Sequence, residues 1–282
     1  MKKVYFTQIN NLIADAIFLL LSVAYIWEYC KTQVTDWELG NIFFERESVE
    51  DYLKKIDNPD ILALSTYVWN WDITCQLARA VKKKYPNCKI VMGGPQVPFK
   101  QSWLEDNTDL CDIIVTYAGE RAFAEILKGN YTYPGVMTKD SYTPPKPDRE
   151  LNDIPSPYLS GLMDSLMQPG KQYSAIIETN RGCPYSCSFC DQQDLYYNKI
   201  AMFDYDRVIG EIDWIVKNKI DFLYFGDSNV GMFNRDVDFI RHIAKCRNEH
   251  GYPRQIDYST AKQQPKRIVE LGEILNKEAK IR

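Results

Sequence analysis

The run Asn180-Arg181-Gly182-Cys183-Pro184-Tyr185-Ser186-Cys187-Ser188-Phe189-Cys190-Asp191 places three cysteines within eight residues, directly after an apolar stretch at 174–178 that reads as a strand. Three thiolates spaced C-x3-C-x2-C on one loop can converge on an iron–sulfur cubane, and they leave its fourth iron without a protein ligand. An open iron is a place to bind a substrate or cofactor, as the open position of a three-ligand zinc site is. Zinc is the competing metal. No nearby His or fourth Cys completes its tetrahedron, because the chain's two histidines, His242 and His250, stand more than 50 residues away and Cys246 lies on a helix stripe beside them. The remaining thiols, Cys30, Cys75, Cys88, Cys111 and Cys246, are isolated, and four of them lie in or beside apolar segments, as core thiols do. Eight cysteines in 282 residues are too sparse for a disulfide scaffold, so the cluster points to metal before disulfide.

Outward from this loop the chain alternates strands and amphipathic helices. Downstream the pattern gives helix 206–216, strand 222–225, helix 236–246, strand 256–259 and helix 265–275, with stripes such as Val208/Ile212/Ile215 and Ile268/Leu271/Leu275. Pro265 suits the first turn of its helix, where the missing N–H costs nothing. This second part reads as a (β/α) repeat of three strands, with the chain ending where a fourth should begin. Upstream, strands are expected at 3–8, 39–44, 61–66, 88–92 and 111–117, and helices at 12–29, 49–56, 72–84 and 120–127. Such alternation implies a parallel sheet with covering helices. Ligands of open sheets gather beyond the carboxyl ends of the strands, where Thr66, Gly93, Gly94, Gly119 and Glu120 stand. The glycines either admit the close approach of a bulky group or form tight strand-to-loop turns. No G-x-G-x-x-G and no G-x-x-x-x-G-K-[ST] occurs, so dinucleotide and ATP sites lack motif support. The Pro- and Asp-rich residues 138–157 read as an irregular crossover between domains.

Composition is ordinary for a globular chain, at 45% hydrophobic and 26% charged with 14 Gly and 14 Pro, which excludes fibrous, collagen-like and mostly disordered classes. A net charge of −4 offers no basic surplus for a phosphate backbone, so nucleic acid is not an expected partner. Residues 16–27 carry no charge, but a membrane span needs about 20 apolar residues, and the segment reads as a buried helix. The start Met1-Lys2-Lys3 lacks the apolar core and cleavage site of a signal peptide. A cytoplasmic protein with no membrane contact is expected.

With these residues in view, the chain resembles the radical S-adenosylmethionine (SAM) enzymes. Their C-x3-C-x-(aromatic)-C loop follows the first strand of a (β/α) barrel, and Phe189 stands in the aromatic place. The stretch Glu178-Thr179-Asn180-Arg181-Gly182-Cys183-Pro184 is similar to the group that carries an N-terminal cobalamin-binding domain. So are Gly93-Gly94-Pro95, Gly119-Glu120 and Ile154-Pro155-Ser156-Pro157-Tyr158. The resemblance implies a Rossmann-like (flavodoxin-like) cobalamin-binding-type domain at 1–140, a linker at 141–171, and at 172–282 the first half of a partial (β/α)6 barrel.

What the resemblance implies for chemistry attaches to individual residues. Cys183, Cys187 and Cys190 hold a [4Fe-4S] cluster whose free iron is chelated by SAM, and one electron from an external reductant yields a 5'-deoxyadenosyl radical that attacks a substrate the sequence does not identify. Phe189 packs near the adenine. Gly226-Asp227 contacts the methionine amino group, with Asp227 as the principal residue and Asn229 beside it, and Ser259 faces SAM from the third strand. An acidic cap on a turn is the plain alternative for Asp227. Two departures qualify the resemblance. The D-x-H-x-x-G loop that ligates cobalt is missing, and no histidine precedes His242, so any cobalamin is held without a histidine ligand. The later barrel strands, which supply most of the substrate wall, are not in these residues, and three strands leave an open sheet edge. A second chain or self-association that completes the barrel is therefore expected, or else an iron–sulfur protein without turnover. A flavodoxin-like regulatory domain fused to a zinc loop is the reading from another class.

Overall fold

Apolar strands that are buried on both faces need helices above and below them, and the first half of the chain is built in that way. The computed structural model describes residues 1–11, 17–146, 149–185, 187–190 and 200–278. It divides into two compact units, Met1–Ala14 with Ser22–Lys146, and Asp15–Leu21 with Pro147–Arg282.

In the first unit β1 (Lys2–Thr7) opens the sheet, and the chain then places β2 (Ile17–Phe18) in the sheet of the second unit before returning through α1 (Ser22–Gln33). There follow β3 (Trp37–Phe43), α2 (Val49–Lys55), β4 (Ile61–Ser65), α3 (Trp71–Lys84), β5 (Lys89–Gly93), α4 (Gln101–Asp106), β6 (Ile113–Val115), α5 (Glu120–Leu127) and β7 (Val136–Thr138). The sheet order is β3-β1-β4-β5-β6-β7, parallel except for the antiparallel β7. Tyr52, Leu77 and Val81 pack with Leu62, Ile90 and Ile114 on one face. On the other, Phe6 meets Trp27 of α1 and Phe123 of α5 at ring distances of 6.1 and 5.1 Å.

The helix expected over 12–29 is corrected. Its part at 12–16 lies outside the described residues, Ile17–Phe18 is a strand, and the helix begins at Ser22. The reason is that Ile17-Phe18-Leu19-Leu20-Leu21 is apolar at every position, and a run without periodicity does not distinguish a buried strand from a buried helix.

The second unit comprises α6 (Leu162–Leu166), β8 (Tyr173–Ile177), β9 (Asn180–Arg181), β10 (Ala201–Met202), α7 (Tyr205–Lys217), β11 (Phe222–Val230), α8 (Asn234–His250), β12 (Gln255–Thr260) and α9 (Pro265–Glu273), besides β2. The main sheet runs β12-β11-β8-β2, all parallel. The three expected strands thus gain a fourth from near the N-terminus, whereas the outer edge of β12 has no partner among the described residues. Register places Ala175, Ile177, Leu223 and Phe225 on one face, where all are buried. The opposite face carries Ser174, buried, then Ile176, Phe222 and Tyr224, half-buried, and Gln255 and Asp257, exposed, so its covering thins toward β12. A parallel sheet covered on one face only is the wall of an unclosed barrel. Together with the helix-covered sheet of the first unit, it gives an α/β domain of mostly parallel strands followed by a partial, unclosed β/α barrel. Among the described residues no helix is long and apolar enough to cross a membrane.

The segment around Tyr158 completes the edge of β8. Strand β2 is only two residues long, and its ladder ends with the Leu19 N–H donating to the Ser174 carbonyl at 2.8 Å. At Ile176, where the next rung would fall, the Tyr158 hydroxyl takes over. It donates to the Ile176 carbonyl at 2.6 Å and accepts from the Ile176 N–H at 3.3 Å. The ring is fully buried against Trp214, 5.0 Å away. Asn152 and Asp204 exchange two further bonds at 2.8 and 2.9 Å, so this stretch is packed structure. Tyr158→Phe leaves the half-buried Ile176 N–H and carbonyl without this partner and is expected to cost about 1–3 kcal/mol. Tyr158→Ala adds a cavity, for about 3–5 kcal/mol in all. Urea unfolding of the two variants against the parent measures both.

Candidate functional site

The cysteine loop is anchored at both ends before any thiol is considered. Beyond β8 the chain turns through Glu178 and Thr179 into β9, which pairs antiparallel with β10, so that two short strands bracket residues 182–200. The Phe203 N–H donates to the Thr179 carbonyl at 3.0 Å and extends the bracket. Arg181 pairs with Glu178 at 2.8 Å and lies 5.6 Å from the Phe203 ring.

Asp227 holds this turn from within the sheet. The sequence suggested that Gly226-Asp227 follows the second strand; instead β11 continues to Val230, with its register against β12 shifting between Phe225 and Val230. The alternation of β11 runs on through this irregularity, so Asp227 keeps the inward phase of Leu223 and Phe225 and is 2% exposed. Its Oδ1 accepts from the Thr179 N–H (3.0 Å), the Thr179 hydroxyl (3.0 Å) and the Asn180 N–H (2.7 Å), and Oδ2 accepts from the Thr179 N–H at 3.2 Å. Burial pushes its pKa up to about 7, against the downward pull of these donors.

Cys183, Cys187 and Cys190 are half-buried free thiols, and the Cys190 N–H donates to the Cys187 carbonyl at 3.0 Å in a tight turn. Asn229 is buried, and its Nδ2 donates to the Cys183 sulfur at 3.1 Å. Its Oδ1 is buried with no hydrogen-bond partner among the described residues. Phe189 is 79% exposed, and Gly226 and Ser259 are exposed. A depression of about 290 Å³ is lined by Pro184, Tyr185, Cys187, Lys262 and Gln263, which joins the loop to the residues just beyond β12. Ser186 and residues 191–199 lie outside the described residues. By contrast Cys30, Cys75, Cys88 and Cys111 are buried core thiols, and burial pushes Cys75 up to about 11 and Cys88 and Cys111 up to about 12. The three half-buried thiols share one anchored loop with an amide at the first sulfur, but among the described residues their sulfurs are not gathered within 4.8 Å of one another.

At the carboxyl ends of the first unit's strands, the glycines pack against their own domain. Gly94 has φ +106°, and a Cβ there would lie 2.4 Å from the Thr66 carbonyl oxygen; at Gly119 it would lie 2.7 Å from Ile26. Thr66 is fully buried, with its hydroxyl donating to the Gly93 carbonyl at 2.9 Å, and Glu120 is buried in the first turn of α5. Of the two readings of these glycines, tight turns have a direct physical cause. Sequence reasoning missed the rim beside them, where Val68, Trp69, Phe99 and Tyr117 follow β4, β5 and β6 and are at least one-third exposed. Trp69 stacks on Tyr67 at 4.5 Å. An apolar rim suits a large planar ligand, although no imidazole is available to bind a metal from it. The available signal was the aromatic run Tyr67-Val68-Trp69 directly after a strand.

Comparison with known proteins follows this division. Residues 19–127 match the B12 binding domain family. The chain is 33% identical to the cobalamin-dependent radical SAM methyltransferase TokK of Streptomyces tokunonensis, over 96% of this chain and 42% of the relative. It is 32% identical to the 2-(S-pantetheinyl)-carbapenam-3-carboxylate methyltransferase of Streptantibioticus cattleyicolor, with the same coverage. Among solved structures it superposes on the cobalamin-dependent SAM radical enzyme OxsB, with aqua-cobalamin and SAM bound, at TM-score 0.68 and 18% identity, over 97% of this chain and 42% of the other. For the radical SAM methyltransferase TsrM of Kitasatospora setae the figures are 0.64 and 12%, over 99% and 58%. The chain thus spans well under half the length of the curated relatives it matches.

Asp227 gives this site a measurable signature. Asp227→Ala strands the buried N–H groups of Thr179 and Asn180 and is expected to cost about 2–4 kcal/mol in urea unfolding. The pH dependence has a definite sign. Because the folded pKa of about 7 exceeds the ordinary 3.8, the folded state binds more protons between these values. The residue's contribution is thus complete below about pH 4 and lost as pH rises through about 7. Relative to Asp227→Asn, the parent is expected to have a higher urea midpoint at pH 5 than at pH 8.

Proposed function

The chain belongs to the radical SAM enzymes that carry an N-terminal B12-binding domain, and on that premise we propose that these 282 residues assemble the cofactors of a methyl-transfer reaction but do not turn over by themselves. The observation that carries this reading is the bracketed loop with three free thiols and the Asn229 amide at Cys183. Cys183, Cys187 and Cys190 would hold a [4Fe-4S] cluster, which when bound supplies the single electron for reductive cleavage of SAM. Asn229 orients the Cys183 sulfur, and its unpaired Oδ1 is an acceptor for a donor such as the methionine amino group. Asp227 is a positioning residue that fixes the turn leading into the loop. Gly226 leaves the sheet's end open, Ser259 offers a hydroxyl there, and Phe189 has the exposure an adenine-stacking ring needs. In the first unit Thr66, Gly93, Gly94, Gly119 and Glu120 shape the strand ends, and the aromatic rim would receive cobalamin without a histidine ligand.

The inability to turn over rests on the sparsely covered sheet face and on the β12 edge, which has no partner among the described residues. Positioning SAM and excluding water need walls around the site, and an open parallel edge is a template for further strands. Further strands, from residues beyond these 282 or from another polypeptide, would complete it.

Anaerobic reconstitution is expected to give about four irons and four sulfides per chain. The triple variant Cys183→Ala/Cys187→Ala/Cys190→Ala is expected to retain no acid-labile sulfide; sulfide retained there overturns the cluster assignment. The reconstituted chain is expected to release little 5'-deoxyadenosine until a polypeptide carrying the remaining barrel strands is added. A monomer that forms 5'-deoxyadenosine catalytically would overturn the requirement for a second piece.

A further inference from the structure

Away from the cysteine loop, three chemically different metal ligands converge between α7 and α8. His242 and Cys246 are four residues apart on α8 and hence share one of its faces. Asp213 reaches them from α7. The His242 Nε2 atom lies 2.7 Å from Asp213 Oδ1 and 3.6 Å from Cys246 Sγ. All three ligand atoms lie within 4.8 Å of one another, and this is the group among the described residues with such a donor set. The thiol is buried at 5% exposure, the imidazole is 26% exposed and the carboxylate 56% exposed. The group therefore has a buried soft ligand and an entry path from solvent.

Hydrogen bonding serves this trio poorly. If Nε2 carries its proton toward Asp213, the thiol faces a nitrogen with no lone pair to accept from it. If Nε2 is the acceptor for the thiol, the carboxylate gives up its protein donor and turns to water. A cation satisfies all three at once. Tetrahedral zinc with bonds of about 2.0–2.3 Å sets its nitrogen and sulfur ligands about 3.6 Å apart and its nitrogen and oxygen ligands about 3.3 Å apart. The nitrogen–sulfur distance already has that value, and the nitrogen–oxygen distance needs a small outward move of the exposed carboxylate.

We propose that Asp213, His242 and Cys246 form a binding site for a divalent cation of the zinc class that ties α7 to α8, with the fourth position open to water. Binding replaces the thiol proton, which is released to solvent, and changes no oxidation state. The cation links two consecutive helices of the sheet's covered side, so its occupancy stabilises that layer by mass action.

The test uses the full chain bearing Cys183→Ala, Cys187→Ala and Cys190→Ala, which removes the loop thiols and makes the outcome independent of the cluster assignment. Cobalt(II) titrated anaerobically is expected to bind at one per chain with a thiolate-to-cobalt charge-transfer band, and stoichiometric zinc is expected to erase that band. Zinc is also expected to raise the Tm by about 5 °C. Adding Cys246→Ser or His242→Gln is expected to abolish both effects. Absence of the band in the triple-alanine chain overturns the proposal even if the further variants do not fold. A band that survives Cys246→Ser also overturns it, because another thiol is then the ligand.

Discussion

Four hydrogen bonds converge on one buried carboxylate, that of Asp227, and the geometry of the cysteine loop depends on it. The entry to the cysteine loop at Asn180-Arg181 and its exit at Ala201-Met202 are fixed from outside the loop. The bracket of β9 and β10 fixes them, and Asp227 holds the entry to β9 by the backbone N–H groups of Thr179 and Asn180. Removing a carboxylate from water costs more than these donors return, which is why its pKa lies near 7 and not below 4. The sheet thus carries an energetic penalty at the position where it orients the loop, a pattern common at functional sites.

The sheet that supports Asp227 is assembled from distant parts of the chain. Its central strand β8 bonds to β11 on one side. On the other it bonds first to β2, from residues 17–18, and then to the hydroxyl of Tyr158. A phenol that both donates to and accepts from the same residue does the work of one rung of a ladder, and it does so where the two-residue strand has run out. The region that composition marks as an irregular crossover is divided between the units, residues through Lys146 belonging to the first and those from Pro147 to the second.

Legibility in the sequence followed the range of the interactions. The cysteine spacing is local and carries its own chemistry, so the loop could be read without any tertiary knowledge. Helix stripes such as Val208/Ile212/Ile215 are equally local, and α7 formed where they lie. Strand β2 was hidden because its surroundings are uniformly apolar. The continuation of β11 through Gly226 and Asp227 was hidden because both residues signal a turn, and what keeps them in the strand is a partner 48 residues upstream. The same limit explains the Asp213–His242–Cys246 group. The i,i+4 pair on α8 is visible in the sequence, whereas Asp213 joins it only through the packing of α7 against α8.

The two faces of the second sheet separate stability from function. Ala175, Ile177, Leu223 and Phe225 are buried beneath helices and account for the fold. Their neighbours Ile176 and Tyr224 point the other way with half of their covering absent, and exposure increases toward Asp257 on β12. All-parallel sheets in complete domains are covered on both faces, so a surface of this composition is one that something else occupies. It mixes aromatic and aliphatic side chains with a carboxylate, and at the carboxyl ends of its strands it meets Gly226, Ser259 and the residues around the thiols. Apolar walls with few polar groups are what a small-molecule site presents. Under the proposed function the uncovered face and the bracketed loop belong to one interior, whose far wall is the row of residues that the helices cover.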